Sequence, residues 1–453
     1  MVDIITRANG WLNSIVWGPP MLILLVGTGI LLTFMTGGAQ FRYLGVALRE
    51  VLGKIGKKGA GEGSVSPFGA VATALASTVG VGNIAGVATA IFLGGPGALF
   101  WLWVSGIFGM CTKYSEIIVA LHYRERDASG VMRGGAMYSL RKQGMPVLGS
   151  IFAGITALAA FGIGNMVQAN SVAQSLNTSF GIETWIVGIG LVIVSAAVIL
   201  GGIKRIAAFA QVLVPFMAVV YILGGLVIVL MRLGDVPEAL GLVFDSAFNG
   251  AAATGGFAGA TIMMAMRMGV ARGLFSNEAG LGSAPLVHAA AHTDHPVRQG
   301  MYGIFEVLVD TLLICTVTGL AIILSGTWTS GETGAALTMK AFETGLPGAW
   351  GGFIVTIGLV LFAFSTLIGW SYYGETGIVY LLGAKAAMPY RLAWLVFIFL
   401  GAIGSLHLVW DIADTLNGLM AIPNLISVLI SIPLIRRLQR EFFDKEKARP
   451  AEV

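Results

Sequence analysis

The chain has 453 residues, of which 56% are hydrophobic and 11% are charged, and its mean hydropathy is +0.84. Because soluble proteins are about a quarter charged, these values exclude a water-soluble globule and predict a protein dissolved in lipid. Its two cysteines lie in apolar segments, so we expect no disulfide framework. We also expect no cleavable signal peptide, since the first apolar run lacks a basic leader and a small-residue cleavage site.

Apolar stretches of membrane-spanning length recur along the whole chain. A helical span needs about 20 residues, and the period-two alternation of a membrane β-barrel is absent. We therefore predict an all-α polytopic membrane protein with eleven transmembrane helices. The predicted spans are residues 16–37, 66–93, 97–122, 147–178, 184–202, 207–232, 246–270, 299–326, 349–382, 389–408 and 412–435.

The basic residues are distributed asymmetrically about these spans. With the C-terminus placed in the cytoplasm, 24 of the 27 lysines and arginines lie on the cytoplasmic side, and only Arg7, Arg232 and Lys340 lie outside. Cytoplasmic loops of membrane proteins are enriched in such residues, so the asymmetry predicts an outside N-terminus and a cytoplasmic C-terminus. It also indicates that the net charge of +4 reflects topology and not a nucleic-acid partner.

Two predicted spans contain glycine-rich interruptions near their middle. The interruptions are residues 76–86 in span 66–93 and residues 253–259 in span 246–270, and both contain Thr-x-Gly. Glycine and β-branched residues are poor in a helix interior, so we predict two broken helices. If the first span is an addition, they are the first and sixth helices of a ten-helix core, as in an inverted repeat.

A broken helix supplies the groups that bind a small charged solute. The N-terminus of its second half presents free N–H groups that suit a carboxylate, and its unwound carbonyls suit a cation or an ammonium group. The matched pair therefore predicts a site for a zwitterion; glycines that only allow close helix packing are the alternative. The sequence Gly80-x-Gly82-x-x-Ala85 matches the dinucleotide-binding fingerprint, but no strand precedes it, so we do not predict a nucleotide site there.

Two further stretches carry a family resemblance. Residues 94–105, GGPGALFWLWVS, resemble the signature of the alanine or glycine:cation symporter family, with Leu102 where that family usually has methionine. Residues 273–285, GLFSNEAGLGSAP, continued by His288 and residues 293–296, resemble its long cytoplasmic loop. The resemblance implies a leucine-transporter-type fold, substrates such as alanine and glycine, and coupling to Na⁺ or H⁺ without an organic cofactor.

The same resemblance implies how the chain is divided. An extra N-terminal helix and a basic loop precede two five-helix repeats of inverted topology, and a cytoplasmic tail follows them. The expected boundaries are 1–62, 63–240, 241–436 and 437–453.

The resemblance also implies the site residues. Amides near Val81 and Gly82 would hold the substrate carboxylate. Ser365 and Thr366 would bind the cation, with hydrogen bonds to the carbonyl four residues earlier as their alternative role. The expected cation ligands are Ala76, Val79, Ser365 and Thr366. The expected substrate-binding residues are Thr78, Gly80, Val81, Gly82, Asn83, Gln168, Thr254, Gly255, Gly256, Phe257 and Trp370.

Polar and aromatic side chains within the spans are further candidates. Asn165, Gln168 and Asn170 lie in the fourth span, where Gln168 either binds the zwitterion or hydrogen-bonds to another helix. Phe257 and Trp370 are candidates for pocket walls that reject large side chains by collision. Ordinary packing is their alternative role.

Two carboxylates lie deep in the eighth span. Glu306 and Asp310 are four residues apart on one helix face. Buried charges in a membrane are costly and are by default functional hypotheses. One of the two could neutralise a cation or relay a proton; alternatively they pair with Arg267 or Arg272 as an inner latch, the role we favour.

Other charged residues suggest structural roles. Lys113 and Glu116, three residues apart near a cytoplasmic helix end, are predicted to form an ion pair. His288, His292 and His295 have a spacing that resembles a metal site, but no cysteine set or His-Glu-x-x-His motif accompanies them. We therefore expect these histidines to serve loop structure and not to bind zinc.

These features together predict a secondary symporter in a prokaryotic cell membrane that imports a small neutral amino acid with Na⁺ by alternating access. H⁺ coupling, or another small amino acid, is the alternative. A cation channel would instead predict rings of like charge or a carbonyl filter. An enzyme would need a nucleophile and a base at one depth, whereas His122 and His407 lie near opposite ends of the membrane.

Overall fold

The computed structural model describes residues 2–249, 261–348, 350–404 and 407–448, and these are almost entirely helical. The N-terminal region consists of four helices that precede the first predicted repeat. They are α1 (Val2–Val16), α2 (Pro19–Met35), α3 (Ala39–Arg42) and α4 (Leu44–Gly53).

The next part of the chain contains a bent helix pair, a small hairpin and five further helices. These elements are α5 (Pro67–Thr78), α6 (Gly82–Gly94), α7 (Gly97–His122), β1 (Glu125–Arg126), β2 (Met132–Arg133), α8 (Ala136–Lys142), α9 (Pro146–Phe180), α10 (Thr184–Ile199) and α11 (Gly202–Met231). The two strands pair antiparallel, with Glu125 opposite Arg133.

The remaining helices follow the same plan of long spans joined by short segments. They are α12 (Val236–Asn249), α13 (Ile262–Asn277), α14 (Pro285–His288), α15 (Pro296–Leu324), α16 (Gly334–Gly345), α17 (Trp350–Leu382), α18 (Ala387–Ile403), α19 (His407–Leu419), α20 (Ala421–Ile430) and α21 (Ile432–Ala448).

Membrane-spanning character is distributed over most of the long helices. Within the described ranges, eight helices are long and apolar enough to cross a bilayer, and the bent pair α5 and α6 makes a ninth. Helix α10 is apolar but shorter. The prediction of an all-α polytopic membrane protein is confirmed. The count of eleven spans is not established, because the predicted span 246–270 includes residues 250–260, which lie outside the described part.

Small residues allow the central helices to pack closely. A Cβ at Gly269 of α13 would lie 2.2 Å from the backbone oxygen of Ala98, and one at Gly273 would lie 2.0 Å from the hydroxyl of Ser105 on α7. Because lipid provides no hydrophobic drive between helices, close packing of this kind is what holds them together. Helices α13 and α15 therefore both pack closely against α7.

The outer helices face lipid with apolar side chains. Val212, Phe216, Val219 and Leu223 of α11 are all more than half exposed and recur at helical spacing. Many polar side chains of the spans are buried inside the bundle, among them Asn83, Asn165 and Gln168. The bundle thereby places α5, α6, α9, α13 and α17 around one interior region.

Candidate functional site

The break between α5 and α6 forms the centre of this interior region. The two helices are bent by 51°. Val79 has an extended backbone, with ψ at 95°. The Gly80 amide, which would continue α5 by donating to the carbonyl of Ala76, donates instead to Oδ1 of Asn83 at 2.9 Å. An asparagine side chain therefore replaces the missing helical bond at the break.

Asn83 also ties the break to α15. Its Nδ2 donates to Asp310 at 2.7 Å from Oδ1 and 3.2 Å from the backbone oxygen. Asp310 accepts further hydrogen bonds from the hydroxyls of Ser276 and Thr311. Asn83 was expected to bind substrate, but it does not line the cavity described below. Its contacts make it a positioning residue for the break.

Two hydroxyls of α17 also reach the break. Thr366 Oγ1 lies 3.3 Å from the carbonyl oxygen of Val79, and Ser365 Oγ lies 3.4 Å from the same oxygen. Ser365 also donates to the carbonyl of Phe362 at 2.8 Å, a bond within its own helix. Three of the four expected cation ligands thus converge, and oxygen donors are what hard cations prefer. Ala76 lies one turn earlier, in the buried end of α5.

A narrow cavity adjoins the break, and the space in it that is open to the centre of a water-sized sphere is about 20 Å³, room for about one water molecule. Of the residues expected to bind substrate or cation, it brings together Thr78, Gly80, Val81, Gly82, Gln168, Thr366 and Trp370. The lining residues that sequence reasoning missed are Ser77, Ile163, Phe275, Glu278 and Asn417. The expected residues Thr254, Gly255, Gly256 and Phe257, with the second predicted break, lie outside the described residues.

The glycines at the break combine packing with site formation. A Cβ at Gly80 would lie 2.5 Å from Thr366 Oγ1 and 3.6 Å from Gln168 Oε1. A Cβ at Gly82 would lie 3.2 Å from the ring of Phe275. The sequence left close helix packing and formation of a binding site as alternative roles for these glycines. The two roles are compatible, because the close approach of these side chains is what encloses the cavity.

Gln168 is held in a fixed orientation beside the cavity. Its Nε2 donates to the carbonyl of Ile163 at 2.9 Å, so its Oε1 points away from its own helix backbone; this oxygen is buried without a hydrogen-bond partner. Asn165 and Asn170 instead donate to backbone carbonyls of α18 and the residues that follow it. Their amide nitrogens have the interhelical role. Asn165 Oδ1 is also buried without a partner, but of these three residues only Gln168 lines the cavity.

Glu278 is the main site residue that the sequence did not indicate. It was expected in a cytoplasmic loop, but its side chain is buried and lines the cavity. Its Oε1 accepts a hydrogen bond from Trp370 Nε1 at 2.9 Å, and its Oε2 accepts one from Ser283. A possible signal in the sequence was a lone acidic residue within a run of small and apolar residues.

Two predicted ion pairs are wrong. Lys113 does not pair with Glu116: its Nζ lies 3.3 Å from Oε1 of Glu306, a residue almost two hundred positions away along the chain. Glu116 accepts hydrogen bonds from the Gly282 amide and from Asn424. The favoured latch of Glu306 or Asp310 with an arginine of α13 is also wrong, because Lys113 on the neighbouring helix holds Glu306.

The three histidines have separate partners. His288 Nε2 lies 3.0 Å from Oε2 of Glu306, and His292 Nδ1 lies 3.0 Å from the carbonyl of Gly61. His295 precedes α15 and accepts from the amide of Val297 at 3.2 Å. Among the described residues, no group of three metal-ligating side chains converges. His288 and Glu306 thus extend the buried ion pair, and the other two histidines organise loops.

The fold and the site together define a polytopic transporter of the leucine-transporter fold class. The chain superimposes on MhsT, solved in complex with L-phenylalanine, with a TM-score of 0.57 and 13% identity, covering 83% of this chain and 98% of that one. It also superimposes on a manganese transporter from Eremococcus coleocola, with a TM-score of 0.51 and 13% identity over 85% of this chain and 89% of that one. These likenesses support the fold.

The chain belongs to the sodium:alanine symporter family, whose profile matches residues 2–453. It is 52% identical over 439 residues, 95% of each chain, to the sodium/alanine symporter AgcS of Methanococcus maripaludis. It is 37% identical to the probable sodium/glutamine symporter GlnT of Bacillus subtilis, over 99% of this chain and 93% of the relative. The family resemblance seen in the sequence is confirmed, and the chain is a multi-pass membrane transporter.

Proposed function

We propose that this chain imports a small neutral amino acid, alanine or glycine, together with Na⁺ by alternating access. The observation that carries the proposal is the break between α5 and α6, where a narrow cavity and a cluster of oxygens meet. The printed names of the relatives include both alanine and glutamine symporters. The choice of substrate therefore rests on how narrow the space at the break is and on its aromatic walls.

The break supplies complementary groups for the two ligands. The amide groups at Val81 and Gly82 begin α6 and present partial positive charge, which suits the substrate carboxylate. The Val79 carbonyl with the hydroxyls of Ser365 and Thr366 suits Na⁺. Since both sets of groups belong to the same few residues, binding of one ligand stabilises the backbone arrangement that the other requires.

The size of the cavity is set by aromatic side chains. Trp370 and Phe275 both line it. A Cβ at Gly164 of α9 would lie 2.2 Å from Trp370, so the indole is packed firmly against that helix. A rigid wall of this kind rejects a longer side chain by collision, which favours alanine or glycine over glutamine.

Alternating access requires a closure that can open. On the side assigned to the cytoplasm, Arg124 donates to the carbonyls of Ala289, Ala291 and Glu62 at 2.7–3.1 Å. The same segments meet through backbone bridges between Glu62 and Thr293 and between Val65 and Ala291. We infer that these polar contacts close the inner side in this state, and that the repeats 63–240 and 241–436 rock against each other to release them.

The test is uptake of radiolabelled alanine into proteoliposomes under an inward Na⁺ gradient, a proton gradient or neither. We expect accumulation with Na⁺ only, competed by glycine and not by glutamine or leucine. Accumulation with protons alone would transfer the coupling role to buried carboxylates such as Glu278 or Asp310. No accumulation by folded protein, under any gradient, would refute the amino-acid assignment.

A further inference from the structure

Glu278 has an unusual backbone for a residue of its type. With φ at 56°, it is the single non-glycine residue with a positive φ among the described residues. It ends α13, a position at which glycine or asparagine is normally favoured because a Cβ is strained there. Its side chain is only 3% exposed. Strained residues of this kind cluster at functional sites, so the position points to a role for the carboxylate itself.

The hydrogen bonds of Glu278 come from neutral donors. Trp370 Nε1 donates to one carboxylate oxygen at 2.9 Å, and the hydroxyl of Ser283 donates to the other. Within the described ranges, no lysine, arginine or histidine nitrogen lies within ion-pair distance of it; Lys113 attracts Glu278 from farther away, and Glu306 repels it. A buried charge without a direct counterion is costly, and a bound cationic group would remove that cost.

Two neighbouring polar groups of the cavity are also acceptors. Gln168 Oε1 and Asn417 Oδ1 are both buried without a hydrogen-bond partner, and both residues line the cavity with Glu278. Gln168 lies on α9 and Asn417 on α19, so three separate elements contribute acceptors to one small space. A primary ammonium group carries one positive charge and three N–H donors and no acceptor. It is the ligand group that matches this set.

We propose that Glu278 anchors the ammonium group of the transported amino acid, with Gln168 completing the acceptor set. This rests on the proposed function and adds a selection rule: the cavity admits small molecules that carry a protonated amine. The Val79, Ser365 and Thr366 oxygens then remain for Na⁺. Charge is balanced because the ammonium group neutralises Glu278, while the substrate carboxylate, which faces the start of α6, offsets the charge of Na⁺.

The test compares Glu278→Gln with the wild type in two binding measurements. One is the affinity for radiolabelled alanine by equilibrium dialysis of the purified protein in Na⁺. The other is the Na⁺ concentration that half-maximally raises the melting temperature without alanine. We expect alanine affinity to fall by about 10- to 100-fold, the usual effect of losing a hydrogen bond to a charged group, and the Na⁺ midpoint to stay unchanged.

The matched control is Glu116→Gln, which removes an equally buried carboxylate outside the cavity. It should leave alanine affinity within about threefold of the wild type, so a loss confined to Glu278→Gln is not a general effect of removing a buried charge. Unchanged alanine affinity in Glu278→Gln would overturn the inference and leave the symporter standing. A shifted Na⁺ midpoint would also overturn it, because the carboxylate would then serve the cation.

A second measurement needs no variant and so does not depend on folding of Glu278→Gln. Lactate, which carries a hydroxyl in place of the amine, should compete with alanine at least 100-fold more weakly on the wild-type protein. Competition within tenfold of unlabelled alanine would contradict recognition of the ammonium group. Wild-type protein that binds no alanine would refute the proposed function itself, and the ammonium site with it.

Discussion

At the scale of single residues, the helix break depends on Gly80, where a side chain has no room, and on Asn83, whose side chain accepts a hydrogen bond that the helix backbone does not. Gly80 admits Thr366 to the Val79 carbonyl because it has no Cβ. Asn83 replaces a backbone acceptor with its side chain. Neither role is visible in helix propensity alone, since both depend on what α17 and α15 bring to the break.

Gly80→Ala should weaken the cation site directly. The new Cβ would lie 2.5 Å from Thr366 Oγ1, so the hydroxyl must move away from Val79. We expect the Na⁺ concentration for half-maximal uptake to rise about tenfold or more, as for loss of one strong polar contact. The control is Gly190→Ala on α10, where a Cβ meets nothing within 4 Å. Equal Na⁺ dependence in the two variants would contradict the role of Thr366.

At the scale of helices, buried charge pairs fix how α7 and α15 meet. Lys113 and Glu306 are both fully buried, and their charged atoms lie 3.3 Å apart. His288 contacts the other oxygen of Glu306, and Gln299 contacts His288 at 2.9 Å. This series of contacts joins α7, α14 and α15. Lys113 lies far from the other three residues in the sequence, so its partner depends on how the helices pack.

Lys113→Met should destabilise the protein strongly, because it leaves Glu306 charged and without its cation. Removing one partner of a buried pair costs on the order of 3–5 kcal/mol, so the melting temperature of the purified protein should fall clearly. The double variant with Glu306→Gln should recover part of the loss. Lys340→Met, at an exposed lysine, should have little effect. A single variant as stable as the wild type would show that the pair is dispensable.

The hairpin of β1 and β2 is held by a second charge network, at the ends of the spans that are predicted to face the cytoplasm. Asp127 accepts from Arg133 Nε at 2.6 Å, and Arg133 donates to Glu375 of α17 at 2.8 Å. Burial raises the pKa of the Asp127 carboxyl, but hydrogen bonds from Ser129 and Arg133 outweigh it and hold the pKa below its ordinary value.

This lowered pKa gives a pH dependence of stability. A carboxyl whose folded pKa is below its unfolded pKa of about 4 contributes stability above that unfolded value and loses it as the pH falls through the folded one. The melting temperature of the wild type should therefore decrease as the pH falls below about 4. Asp127→Asn should start lower at neutral pH and decrease less. Parallel curves for the two proteins would exclude Asp127 as a contributor.

At the scale of the whole molecule, the distribution of basic residues predicts the orientation. The two natural cysteines, Cys111 and Cys315, are buried, which allows new cysteines to report accessibility. Trp11→Cys and Arg440→Cys replace exposed residues near opposite ends of the chain. In intact cells, a membrane-impermeant maleimide should label the first and not the second. The reverse pattern would invert the proposed topology.

Local properties of the sequence were sufficient to predict the class of protein and the general arrangement of its helices. Hydropathy and helix-breaking residues act over a few neighbouring positions, so the lipid environment, most span positions and the break at Val79–Gly82 could be predicted. The hydroxyl pair Ser365 and Thr366 was located through a family resemblance and lies beside that break. The orientation also has a sequence basis, and it stays a prediction.

Only the tertiary structure decided which distant side chains meet. Lys113 has a carboxylate three residues away, yet it pairs with Glu306, because the two helices α7 and α15 face each other. Glu278 lies in a stretch that reads as a loop, yet the end of α13 carries it into the cavity beside Trp370. Spacing along the chain determines which residues of one helix can contact each other. The partner of a buried charge depends instead on how separate helices pack.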